Sequence, residues 1–120
     1  MALVAWKRLV NESPTGRFAE GYVFPWPEAA VPPFGAMTCC ISPGEKCEPD
    51  QHNQDEIAFI YRGHGEIIAG GEVWHVSQGD AVFIPRNVEH TFSNTDPDRD
   101  FAFFSVWWPR IEPRDTVDES

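Results

Sequence analysis

Two of the four histidines stand among carboxylates at spacings that can do chemistry. Asp50 precedes His52 by two positions, and Glu56 follows it by four. Side chains two apart on an extended chain share a face, about 6.6 Å apart, so Asp50 and His52 can project into one interior. Glu56 opens the next extended segment after a short turn, and His90 comes from a distant segment that must cross nearby. Two imidazoles and one carboxylate make a facial set with open coordination positions, suited to non-haem Fe(II). Zn, Mn, Ni and Co accept the same donors. Asp50 adds a second carboxylate, with three roles open to it: a fourth ligand, an acceptor that orients His52, or a catalytic base. Plainer readings stand beside these. A histidine on a strand is more often solvated or hydrogen-bonded than a ligand. Glu56 could serve an ion pair at a rim, and Asp50 could be a surface turn residue. His64, between Gly63 and Gly65, reads as a tight-turn residue outside any metal shell, and His75 reads as structural.

The elements that must position these residues are short and extended. Eleven Pro and nine Gly in 120 residues mean many turns and few long helices. Strands are expected around Val4 to Leu9, Phe18 to Phe24, Ala36 to Ser42, Glu56 to Tyr61, Glu66 to Ala69, Glu72 to Val76, Ala81 to Ile84, His90 to Asn94 and Phe101 to Trp108. Gly70-Gly71 between two short strand patterns is a hairpin signal. Pro25, Pro27, Pro32 and Pro33 mark an extended connection, because proline cannot donate to a ladder. Short strands at 8–12-residue spacing with Gly and Pro turns predict an all-β barrel or sandwich. The length suits one domain: a barrel over 1–108 with an N-terminal arm over 1–35, and an acidic, flexible tail over 109–120.

Two stretches carry a resemblance. The first runs from Gly44 through Asp50, His52 and Glu56 to Gly63. The second runs from Gly79 through Pro85, Asn87 and His90 to Asn94. Together they resemble the two signature motifs of the cupin superfamily, over about residues 37 to 108. The spacing of His52, Glu56 and Gly63 matches the first motif, and that of Gly79, Pro85, His90 and Asn94 the second. Asp50 stands where the first motif has its first histidine, which alters the metal shell. Asn87 stands where the second has an inner glycine, and Asn tolerates the left-handed backbone such a turn needs. The resemblance implies a double-stranded β-helix, or jelly-roll barrel, with few or no helices. It also implies that His52, Glu56 and His90 bind a divalent metal. The facial ligand set favours Fe(II), and Asp50, an extra carboxylate able to shuttle a proton beside the metal, is the candidate catalytic residue.

Phe92 lies two positions after His90 and should share its face. Phe101, Phe103, Ser105 and Trp107 make one face of the last strand, with Ala102, Phe104, Val106 and Trp108 on the other. The pattern alone does not say which face turns inward. Core packing is the default role for these aromatics. The functional alternative is an apolar pocket above the metal, with Phe92, Phe103 and Trp107 as substrate-binding residues.

The leading expectation is therefore a metal-dependent enzyme on an organic, partly apolar small molecule, foremost a non-haem iron oxygenase of dioxygenase type. Redox-neutral chemistry is the first alternative: isomerisation, cyclisation, elimination or decarboxylation. A non-catalytic ligand-binding module is the second. Nine Lys plus Arg against nineteen Asp plus Glu give a formal charge of −10. That charge repels phosphate backbones and anionic lipid, so neither nucleic acid nor membrane is an expected partner. No apolar run is long enough to span a bilayer, and Trp6, Lys7 and Arg8 interrupt any leader-like start, so a cytoplasmic protein is expected. Cys39, Cys40 and Cys47 are odd in number and lack CxxC spacing. They read as buried small hydrophobes rather than a disulfide framework or zinc site. A homodimer is expected, because the N-terminal aromatics and the adjacent Trp107 and Trp108 exceed what one chain needs for its own packing.

Overall fold

The computed structural model describes residues 6, 8, 9, 14–26 and 31–110. Eight strands run through them: β1 (Phe18–Tyr22), β2 (Gly35–Ile41), β3 (Asp55–Arg62), β4 (His64–Ala69), β5 (Glu72–Ser77), β6 (Ala81–Ile84), β7 (His90–Ser93) and β8 (Phe101–Trp108). No helix occurs among the described residues, and so none is long and apolar enough to cross a membrane. The strands form two antiparallel sheets, one in the order β1-β2-β8-β3-β6 and the other in the order β5-β4-β7.

The core lies between the sheets. Cys39, Ile41, Ala58, Ile60, Ile84, Phe101 and Phe103 reach it from the larger sheet, and Ile67 and Phe92 from the smaller. Strand alternation explains the choice. On β3, Glu56, Ala58 and Ile60 are buried while Phe59 and Tyr61 are exposed, the period-two pattern of a sheet covered on one face. On β8 the question of faces is answered by Phe101, Phe103 and Ser105, which are almost wholly buried, with Trp107 continuing the same side. Phe104, Val106 and Trp108 take the outer side.

Local chemistry fixes the turns. Gly70 and Gly71, at φ 56° and 79°, close the β4–β5 hairpin, as a type I′ turn requires. Asn87 holds φ 66°, the left-handed conformation expected of it. Gly65 is needed for space. A Cβ there would stand 2.4 Å from the Ser93 carbonyl oxygen and 2.7 Å from the Phe101 ring. Asn94, buried just past β7, reaches the carbonyls of Ile41, Ser42 and Arg99 at 3.0, 3.1 and 2.7 Å through Nδ2. The last motif position therefore ties the loop before β8 to the end of β2.

Three expectations change. His64 opens β4 rather than sitting in a tight turn, because Gly63 at φ 73° makes the bend alone. β1 stops at Tyr22, two residues short of Phe24, where the proline-rich connection begins. Of the strand expected over Val4 to Leu9, only Trp6, Arg8 and Leu9 are described, and they form no strand. The tail beyond Arg110 lies outside the described residues. Pro109 and Arg110 lie back on the body, with the Arg110 amide donating to the Pro33 carbonyl at 2.8 Å.

Candidate metal centre

Asp50 and His90 face each other in an isolated antiparallel bridge, each amide donating to the other's carbonyl at 2.8 Å. Asp50 is thus not part of a continuous strand with His52, as the two-residue spacing suggested. The segment between them is irregular but pinned. The Asn87 amide donates to the His52 carbonyl at 2.7 Å, and Gln51 Nε2 donates to the Asn87 carbonyl at 3.0 Å. These bonds tie the Asp50–His52 loop to the chain that enters β7, and so bring the two motifs together.

Glu56 sits at the start of β3. Its neighbour Asp55 accepts from the Arg86 amide at 3.0 Å and pairs with the Arg86 guanidinium at 3.3 Å. Arg86 holds the Asp55 carboxyl below its ordinary value and pins β3 to the turn after β6. Glu56 itself is 5% exposed, a costly place for a charge unless it is paired. Three groups meet it. His52 Nε2 lies 3.0 Å and His90 Nε2 3.5 Å from Oε1, and Ser105 Oγ donates to Oε2 at 2.8 Å. Burial pushes the Glu56 carboxyl up, but the hydrogen bonds from His52, His90 and Ser105 outweigh it and bring it down to about 2.

Both imidazoles are aimed by backbone carbonyls. His52 Nδ1 lies 3.2 Å from the Gln54 carbonyl, and His90 Nδ1 lies 2.9 Å from the Val88 carbonyl. A carbonyl only accepts, so each Nδ1 carries the proton and donates. With Nδ1–H on a carbonyl and Nε2–H on Glu56, each ring is protonated at both nitrogens; on losing the Nε2 proton it presents that lone pair, the tautomer a metal ligand needs. The Glu56 hydrogen bond raises the His52 pKa against the effect of burial. For His90 burial acts downward, and the bonds to Glu56 and the Val88 carbonyl overcome it, leaving the pKa raised.

Donor atoms of Asp50, His52 and His90 also lie within 4.8 Å of one another, with Asp50 Oδ2 4.0 Å from His52 Nε2. The Asp50 side chain is 67% exposed, against 20% for His52. Four donor side chains thus converge, three of them sheltered and one at the open edge. Nitrogen and carboxylate oxygen in this mixture fit a divalent ion of the Fe, Mn, Co, Ni or Zn kind.

A cavity of about 360 Å³ opens above the donors. Phe92, Phe103 and Trp107 line it, the three aromatics expected there. Phe92 stacks on Phe103 with centroids 3.9 Å apart, and His90 meets Phe92 edge-on at 6.3 Å. His64 pairs with Asp96 at 3.1 Å and His75 with Glu66 at 3.4 Å, both away from the cavity. Cys39, Cys40 and Cys47 are free thiols, with Cys39 and Cys47 sulfurs 4.0 Å apart and Cys47 on the cavity wall. Sequence reasoning missed several contributors. Gln54, only 7% exposed, supplies the carbonyl for His52 and donates through Nε2 to the Pro109 carbonyl at 3.1 Å. Glu20, Tyr22 and Met37 line the cavity from β1 and β2. No local signal marks them, because the β1–β2 pairing is set by distant partners.

The family model for the cupin domain matches residues 37–107. A stretch of 47 residues is 36% identical to the uncharacterized protein SCO3923 of Streptomyces coelicolor, covering 39% of this chain and 45% of that relative's length. Among solved structures, the plu4264 protein of Photorhabdus luminescens is 26% identical with a TM-score of 0.70, over 98% of this chain and 92% of that one. A Cupin 2 conserved barrel domain protein of Salinispora arenicola is 23% identical with a TM-score of 0.74, over 97% and 95%. The two-sheet arrangement is the all-β barrel that the motifs led us to expect.

Proposed function

Because this chain belongs to the cupin family, we propose that it is a metal-dependent enzyme acting on a small, partly apolar organic molecule. His52, Glu56 and His90 hold one divalent ion, and Asp50 stands beside it as the acid–base group. One observation carries the reading: both imidazole Nε2 atoms converge on Glu56 Oε1, at 3.0 and 3.5 Å, beneath an aromatic-walled cavity. When bound, the ion would supply a Lewis-acidic centre with open positions.

The chain's own residues do the rest. Ser105 keeps Glu56 ionised and fixed, and the Gln54 and Val88 carbonyls hold the two rings in the ligating tautomer. Phe92 and Phe103 keep water from the apolar side. Asp50 Oδ2, at the open edge, can take or return a substrate proton. Two imidazoles with one carboxylate suit Fe(II), which supports an oxygenase of dioxygenase type. Asp50 favours a second, redox-neutral reading, since isomerisation, cyclisation, elimination and decarboxylation all need a proton moved beside a Lewis acid.

The test is metal analysis by mass spectrometry on protein prepared without added metal, with oxygen uptake followed alongside. About one iron per chain supports the oxygenase, and stoichiometric zinc, manganese, nickel or cobalt supports the redox-neutral reading. His90→Ala should lose most of the metal. A folded wild-type chain with no metal, or unchanged occupancy in His90→Ala, sinks the assignment and leaves a ligand-binding module.

A further inference from the structure

The cavity lies at the small end of ligand pockets, which span roughly 300–1,000 Å³, so its substrate is compact. Its walls divide by chemistry. Tyr22, Met37, Phe92, Phe103 and Trp107 make an apolar side. Glu20, Glu48, Asp50 and Glu56 supply carboxylates. Among the described residues, no lysine or arginine lines it. The guanidinium of Arg17 is engaged outside, 2.5 Å from Glu48 Oε1. With Glu48 offset in this way, Glu20, Asp50 and Glu56 remain. One divalent ion leaves these three carboxylates with a formal charge of −1.

Glu20 and Tyr22 stand two apart on β1 and therefore share a side. Tyr22 pairs across the ladder with Met37. The Glu20 carboxyl is raised, first by burial and then by the charge of Asp50. Both carboxylates line the same cavity. A carboxylate or phosphate placed between Glu20 and Asp50 would meet like charge on both sides, so an anionic group could enter the cavity only toward the metal. A protonated amine meets the opposite situation, with two carboxylates and the aromatic side chains of Tyr22 and Trp107 in the same lining.

We propose that the cavity takes an amine-bearing substrate, with its ring or other flat apolar part against Phe92, Phe103 and Trp107 and its ammonium between Glu20 and Asp50. The carboxylates select the charge of the substrate. The site itself is carried by the cavity and the donor cluster, and the assignment rests on the reading of that cavity as the active site.

Three probes of one shape decide it: 3-phenylpropylamine, 3-phenylpropan-1-ol and 3-phenylpropionate. Each is titrated at pH 7 by calorimetry or ligand-detected NMR, into protein as purified and after chelator treatment. The amine is expected to bind at least tenfold tighter than the carboxylate in both, with the alcohol between them. Glu20→Gln should narrow that gap at least threefold while metal content stays unchanged. Carboxylate binding equal to amine binding overturns the proposal, as does an undiminished gap in Glu20→Gln or no binding of the amine at millimolar concentration. Metal content is read separately. A metal-free chain that still selects the amine defeats the enzyme reading alone, and a metal-loaded chain that prefers the carboxylate defeats the amine alone.

Discussion

Ser105, on β8, donates a 2.8 Å hydrogen bond to Oε2 of Glu56, on β3, and both side chains are buried. The bond spans 49 residues of sequence and leaves Oε1 to the two histidines. It fixes which carboxylate oxygen faces the imidazoles. Hydrogen bonds to charged groups contribute about 1.5–3 kcal/mol. Ser105→Ala should therefore destabilise the metal-free chain by about that amount. Partners behind a metal ligand also tune affinity, and losing one typically costs ~10–100-fold. Thermal unfolding and chelator competition measure the two effects. A Ser105→Ala chain with wild-type metal affinity would mean that Glu56 does not ligate through this arrangement.

Asp50 differs from the other donors in exposure and in attachment. Its backbone is locked to His90, but its carboxylate is mostly in solvent. Asp50→Asn keeps the shape and removes the charge. If Asp50 moves a proton, the variant should retain metal and lose most activity. If it ligates, chelator competition should show weaker binding as well. Wild-type turnover together with wild-type metal content would make Asp50 a bystander.

Much of this site was legible because the informative residues are close in sequence or sit at fixed motif positions. The resemblance to the cupin motifs pointed to His52, Glu56 and His90, and the structure brings their donor atoms together. The role of Ser105 was half visible as a hydroxyl among Phe101, Phe103 and Trp107. Alternation gives two equivalent faces, however, and only the facing sheet decides between them. Glu20 and Tyr22 were not legible as cavity residues, because their placement depends on the β1–β2 register, in which Glu20 opposes Cys39 and Tyr22 opposes Met37. His64 was misplaced for a local reason: one glycine with positive φ was enough for the bend that two had suggested.

The outer face of the larger sheet is apolar for a surface. Phe83 is 56% and Phe59 48% exposed, and Trp108 lies 6.3 Å from Phe83 on the same side. A contiguous apolar patch on a protein surface marks an interaction surface, and a twofold pair is the commonest way to cover one. Light scattering at micromolar concentration should give twice the 13.6 kDa of one chain. Phe83→Glu should shift the mass toward one chain without changing metal content. A wild-type mass of one chain would refute the dimer.

Protons and metal compete for the same atoms, which sets the direction of the pH dependence. Glu56 is held at about 2, below its ordinary 4.5. Its contribution to the metal-free fold is therefore complete above about 4.5 and is lost as pH falls from there toward 2. His52 and His90 are raised above 6.5 by the same carboxylate. Their contribution is complete below 6.5 and is lost as pH rises through the raised values. Metal uptake runs the opposite way, because only the neutral rings ligate. Below the raised values, each imidazole that must release a proton steepens the apparent affinity by about tenfold per pH unit. Chelator competition across pH 5.5–8.5 should show affinity rising with pH and then levelling off, at a higher pH than free imidazole would give. Affinity independent of pH across that range would mean that neither histidine is a ligand.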